Sequence, residues 1–152
     1  MPHFTVIIPN HNDYLEATQL TTLLADLHQP PRNIIIVSAP IQPKETSKSY
    51  ALNSSSVYEI YSEKGRGIQL NKGVEFYQNH IAKEIKTNKS SSHYYLFLHA
   101  DSVLHKNDWA TFQNELVSFS PKIGAFTFAL NSNGILPFIY QLIVRIRCRL
   151  FD

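Results

Sequence analysis

The chain has 152 residues, a formal net charge of +2 and an apolar fraction of 43%. This length fits one domain over 1–152, and the apolar fraction excludes an intrinsically disordered chain. The near balance of charges disfavours a nucleic-acid partner, and the single cysteine, Cys148, excludes an intramolecular disulfide and fits a reducing cytoplasm.

The first half of the chain predicts buried strands separated by a helix. The β-branched run "FTVIIP" predicts a strand over 4–9, and "NIIIVS" predicts a second strand over 33–38. Leucines near helical spacing predict a helix over 13–28 between them. The polar, proline-bearing stretch 39–56 has no clear period and is predicted to be a loop, followed by a third strand over 57–61.

The second half continues this alternation. A glycine-bearing segment begins a helix predicted over 65–85, and a polar linker, 86–93, leads to "YYLFLHA". This run shows no polar alternation, so 94–100 is predicted to be a central strand covered on both faces. The remaining predicted elements are a helix over 107–119, a strand over 123–130 and an apolar helix over 134–151.

Strands that alternate with helices predict an α/β fold with a mostly parallel sheet flanked by helices. In such sheets ligands bind at the carboxyl ends of the strands. This rule selects three turns as candidate sites: the turn after 4–9, the turn after 33–38, and the turn that holds His99 and Asp101.

The sequence shows no sign of a membrane-spanning or secreted protein. The N-terminus lacks a signal-peptide pattern, and the longest near-apolar run, 134–144, is about half the length that spans a bilayer. A cytoplasmic location is therefore expected. The apolar helix ends with Arg145, Arg147 and Arg149. These arginines are expected to form a solvated face of the helix or, alternatively, to contact anionic lipid at the inner face of a membrane.

His99 and Asp101 are the candidate metal ligands. In extended backbone, residues two apart point the same way, so both side chains would face one site while Ala100 points elsewhere. A hard cation such as Mg²⁺ or Mn²⁺ prefers oxygen ligands and keeps water and phosphate oxygens in its shell, which suits Asp101. The alternative is that Asp101 caps a turn and His99 ends the strand by chance.

Two further segments are candidate phosphate and nucleoside sites. The stretch 64–73 combines close glycines with Arg66, whose guanidinium can donate two hydrogen bonds to phosphate oxygens. Its alternative interpretation is an ordinary helix start with a solvated arginine. The loop in 8–13 could hold a base or ribose through its backbone and Asp13, or Asn12 or Asp13 could simply cap the following helix.

Together these segments resemble family 2 glycosyltransferases with a GT-A fold, in particular a bacterial subgroup. "GRGIQLNKG" (65–73) is similar to that subgroup's GR-x-x-Q-x-N-x-G, and "LFLHAD" (96–101) is similar to the motif that ends one of its strands. "VIIPNHND" (6–13) resembles the family's IIP-x-x-N-E segment, with Asp13 at the acidic position. The likeness covers nearly the whole chain and extends to "GAFTF" (124–128) and "LIVRIRCRL" (142–150).

The resemblance implies a nucleotide-diphospho-sugar donor, a divalent metal (Mg²⁺ or Mn²⁺) and transfer of a glycosyl group. It implies that Asp101 matches the last residue of a D-x-D-like metal motif and that His99 occupies its first position. It further implies that Arg66 contacts the diphosphate or base and that Pro9, Asn12 and Asp13 line the nucleotide pocket. Gln69 and Asn71, from the glycine-bearing motif, complete the implied set of donor-binding residues.

The chain departs from the family pattern at two places. After the second strand the family carries an acidic, glycine-rich D-G-S-x-D stretch, whereas this chain reads "VSAPIQPKET", with Ser38 at the first acidic position. The family's later acidic pair, which supplies the general base, has no counterpart before Asp152, so no catalytic residue is assigned. The alternatives are therefore a donor-binding relic without catalysis, or one part of a split or truncated enzyme that associates through 134–151.

Overall fold

The computed structural model describes residues 3–11, 14–39, 47–84, 93–119 and 139. The strands in this part of the chain are β1 (His3–Asn10), β2 (Asn33–Ser38), β3 (Lys48–Leu52), β4 (Ser55–Tyr61) and β5 (His93–Phe97). The helices are α1 (Tyr14–Ala25), α2 (Arg66–Phe76), α3 (Ala82–Glu84) and α4 (Lys106–Phe119), and a π-helical turn, Tyr77–Ile81, joins α2 to α3.

The chain divides into two compact units, 1–119 and 120–152, and all of these elements belong to the first unit. The strand predicted over 123–130 and the apolar helix predicted over 134–151 fall in the second unit, outside the described residues apart from residue 139. The single domain predicted over 1–152 stays a prediction. No helix within the described residues is long and apolar enough to cross a membrane.

The five described strands form one sheet in the order β3-β4-β2-β1-β5. β1 pairs in parallel with β2 and with β5, β2 pairs in parallel with β4, and only β3 runs antiparallel to its neighbour. The sequence prediction of an α/β fold with a mostly parallel sheet flanked by helices is therefore confirmed.

Both faces of the central strands are buried, as their unbroken apolar runs require. Alternate residues of β1 and β2 pack with α1 and α4 on one face; this cluster includes Val6, Ile8, Ile34, Leu24 and Trp109. The other residues of the same strands, with Ile7 and Ile35 fully buried, pack beneath Tyr77 and Ile81 of the π-helical turn. Burying side chains of this size stabilises the fold by about 1.5–3 kcal/mol each, so these runs fix the two-sided sheet.

One stretch predicted as a loop contains a strand. The prediction of a loop over 39–56 is wrong for Lys48–Leu52, which pairs antiparallel with β4 as β3, and for Ser55 and Ser56, with which β4 begins. β3 is almost entirely exposed, so its sequence carries no apolar alternation to reveal it. The local signal is Asn53, whose φ of 51° supplies the left-handed residue of the tight turn that pairs Leu52 with Ser55.

The strand predicted over 94–100 ends earlier than its apolar run. β5 stops at Phe97, which is 49% exposed, although one more backbone bond joins the amide of Leu98 to the carbonyl of Ile7 at 3.2 Å. Leu98 and Ala100 remain apolar because they continue to pack in the α1 and α4 core after the strand has ended. Among the described strands β5 pairs only with β1, and the strand predicted over 123–130 lies outside the described residues, so the central position of β5 stays a prediction.

Candidate functional site

The carboxyl ends of β2, β1 and β5 lie side by side at one edge of the sheet, here called the carboxyl edge. β1 and β2 end in register at the pair Asn10 and Ser38, and both side chains are buried. Nδ2 of Asn10 donates to Oγ of Ser38 at 3.2 Å. Two polar side chains therefore meet where the strands end, instead of continuing the apolar core.

Gln69 fastens α2 to this edge. Its side chain is 4% exposed, and Nε2 donates to the backbone carbonyls of Asn10 and Val37 at 2.7 Å each. The carbonyl of Asn10 also accepts from the amide of Ala39 at 3.0 Å. Both hydrogens of the Gln69 amide are thus used to hold β1, β2 and α2 together, an arrangement we call the Gln69 clamp.

The direction of α2 follows from this clamp and from Gly73. A Cβ added at Gly73 would lie 2.5 Å from Cγ2 of Ile7, so the helix backbone rests directly on β1 three residues before its end at Asn10. The helix therefore begins at the carboxyl edge and runs back across the sheet. Its first turn, with unpaired backbone N–H groups and a partial positive charge, lies at the edge.

Gly65 and Arg66 form the start of α2. Gly65 has φ +147°, a conformation that favours glycine, and its carbonyl accepts from the amide of Gln69 at 2.9 Å. Arg66 is the first helical residue and its side chain is exposed. A Cβ added at Gly67 would meet nothing within 4 Å, so a side chain could be accommodated at this position.

Asn71 does not share the face of Gln69. Two helical residues turn the helix so that Asn71 lies about 160° around the axis from Gln69. Accordingly Asn71 is exposed while Gln69 and Gly73 are buried. The predicted donor-binding pair is thus divided: Gln69 holds the strand ends together, and Asn71 points away from the sheet.

His99 and Asp101 follow β5 at the same edge, beside β1. Both side chains are exposed, and the amide of Ser102 donates to the carbonyl of His99 at 3.1 Å, which closes a turn over Ala100 and Asp101. The expectation that these two residues share a direction through extended backbone is wrong, because the strand ends at Phe97. Both residues instead belong to one hydrogen-bonded turn, His99–Ser102.

The side chains of this turn could supply only part of the ligand shell of a metal ion. No group of three or more His, Cys, Asp or Glu side chains that could hold a metal occurs within the described residues. Mg²⁺ is commonly held by one or two carboxylates and completed by water and substrate phosphate. Asp101, an exposed carboxylate in this turn, fits that minimal pattern and no closed structural site.

Of the remaining predicted residues, Pro9 is half-buried in β1, in register with Val37. Asn12 and Asp13 lie outside the described residues. Residue-type reasoning did not single out Asn10, although a polar residue directly after "VIIP" is a recognisable signal of a strand end. The elements that end or begin at the carboxyl edge thus carry Pro9, Arg66, Gln69, His99 and Asp101 at or near those ends, with Asn10 as the unpredicted residue.

Comparisons of this chain with protein-family models, with curated proteins and with solved structures find no match.

Proposed function

We propose that this protein binds a nucleotide-diphospho-sugar together with Mg²⁺ or Mn²⁺ at the carboxyl edge and transfers the glycosyl group, as a GT-A protein similar to family 2 glycosyltransferases. The observation that carries the proposal is the Gln69 clamp. It supports a common site for the two motifs because it holds the start of α2 at the edge where β1, the neighbour of β5, ends.

The chemistry available at this edge suits a diphosphate. Arg66 can donate two parallel hydrogen bonds to phosphate oxygens, and the N–H groups and partial positive charge of the first turn of α2 favour an anion. Asp101 would hold the cation, which when bound neutralises charge that develops on the leaving diphosphate. These residues together would bind and orient the donor, and they are drawn from two segments about thirty residues apart.

The test is metal-dependent donor binding to the full chain. We expect UDP-glucose or GDP-mannose with MnCl₂ to raise the midpoint of thermal unfolding, and we expect neither donor nor metal alone to match that rise. Asp101→Asn should remove the metal-dependent part of the shift. Glu115→Gln, which neutralises an exposed carboxylate on α4, is the matched control and should keep it.

Equal shifts with and without MnCl₂ would overturn the metal part of this proposal. Equal shifts in Asp101→Asn and the parent chain would show that Asp101 is not the residue that holds the cation. No shift with any donor, in a protein that unfolds cooperatively, would overturn donor binding itself.

A donor-binding protein without transfer is the second candidate. The observation that favours it lies at the end of β2, where Ser38 stands at the position that the family fills with an acidic residue and where its hydroxyl accepts from Asn10. This candidate expects donor binding without release of nucleoside diphosphate. A coupled assay for UDP or GDP, run with and without simple sugar acceptors, separates the two candidates.

A further inference from the structure

We draw no further inference here: the strongest candidate, the exposed apolar side chains on the elements that begin or end at the carboxyl edge (Leu15, Ile68, Phe97 and Val103), carries nothing because exposed charges of both signs stand among them in the sequence and nothing in the described residues shows what covers them.

Discussion

Replacement of Gln69 distinguishes two roles for this side chain, a structural clamp and a ligand-binding group. Gln69→Met keeps a side chain of similar length and removes both hydrogen bonds to the carbonyls of Asn10 and Val37. Each bond contributes a net 0.5–1.5 kcal/mol or so, and the Asn10 carbonyl keeps its bond from Ala39. We therefore expect Gln69→Met to lower the free energy of unfolding by about 2 kcal/mol.

Gln69→Glu should be more damaging at neutral pH, because it places a carboxylate where two carbonyl oxygens lie 2.7 Å from the native amide nitrogen. An unpaired buried charge costs about 3–5 kcal/mol. The folded protein would raise the pKa of this carboxyl above its unfolded value, so the folded state binds the extra proton and the penalty shrinks as pH falls towards 5. The protonated carboxyl regains only one of the two donors of the native amide, so the penalty does not vanish.

The assay is equilibrium unfolding in urea, followed by fluorescence of Trp109, which is 1% exposed and the only tryptophan. Asn71→Asp is the matched control, because it makes the same amide-to-carboxylate change at an exposed position of the same helix. It should change stability by less than about 0.5 kcal/mol. The reasoning is refuted if both Gln69 variants unfold with the same midpoint as Asn71→Asp.

The remaining predictions concern backbone positions and use the same unfolding assay. Gly73→Ala should destabilise by about 1–3 kcal/mol, since its Cβ would lie 2.5 Å from Ile7. Gly67→Ala, with nothing within 4 Å, should be neutral or stabilise by up to about 1 kcal/mol, and a loss equal to that of Gly73→Ala would contradict the packing. Asn53→Ala should lower the free energy of unfolding by about 1–2 kcal/mol, because alanine disfavours a φ of 51°, and it also removes the 2.6 Å hydrogen bond to Asp26. Asn53→Gly also loses this hydrogen bond but tolerates the positive φ, so it should destabilise the protein less. Equal destabilisation by the two variants would contradict this explanation.

The central strands of the fold are predictable from the sequence because their apolar runs are stable only when they are buried. β1 and β2 carry unbroken β-branched runs, and such runs bury both faces of a strand. β3 is different, because it is held by backbone pairing to β4 while its side chains stay in solvent. The sequence of such a strand shows no apolar alternation, and the local signal is the turn residue Asn53 that follows it.

The sequence predicts that the candidate site lies at the carboxyl edge of the sheet, but it does not predict the role of each residue there. The two motifs lie on segments that begin or end at the carboxyl edge, because topology places the ends of parallel strands there, and a shared site stays a prediction. The role of Gln69 is missed because an amide side chain suits ligand binding and backbone clamping equally well, and only the course of α2 decides between them. The turn at His99 is missed because Leu98 and Ala100 stay buried after the strand has ended.

The most direct test of the account is to locate a bound paramagnetic ion by NMR. With UDP-glucose or GDP-mannose present, trace Mn²⁺ should broaden the amide signals of Arg66, Gly67 and residues 99–102, leave those of β3 sharp, and lose this selectivity in Asp101→Asn. Broadening that is spread evenly over exposed carboxylates, or that is the same in Asp101→Asn, would contradict a metal-dependent donor site at the carboxyl edge.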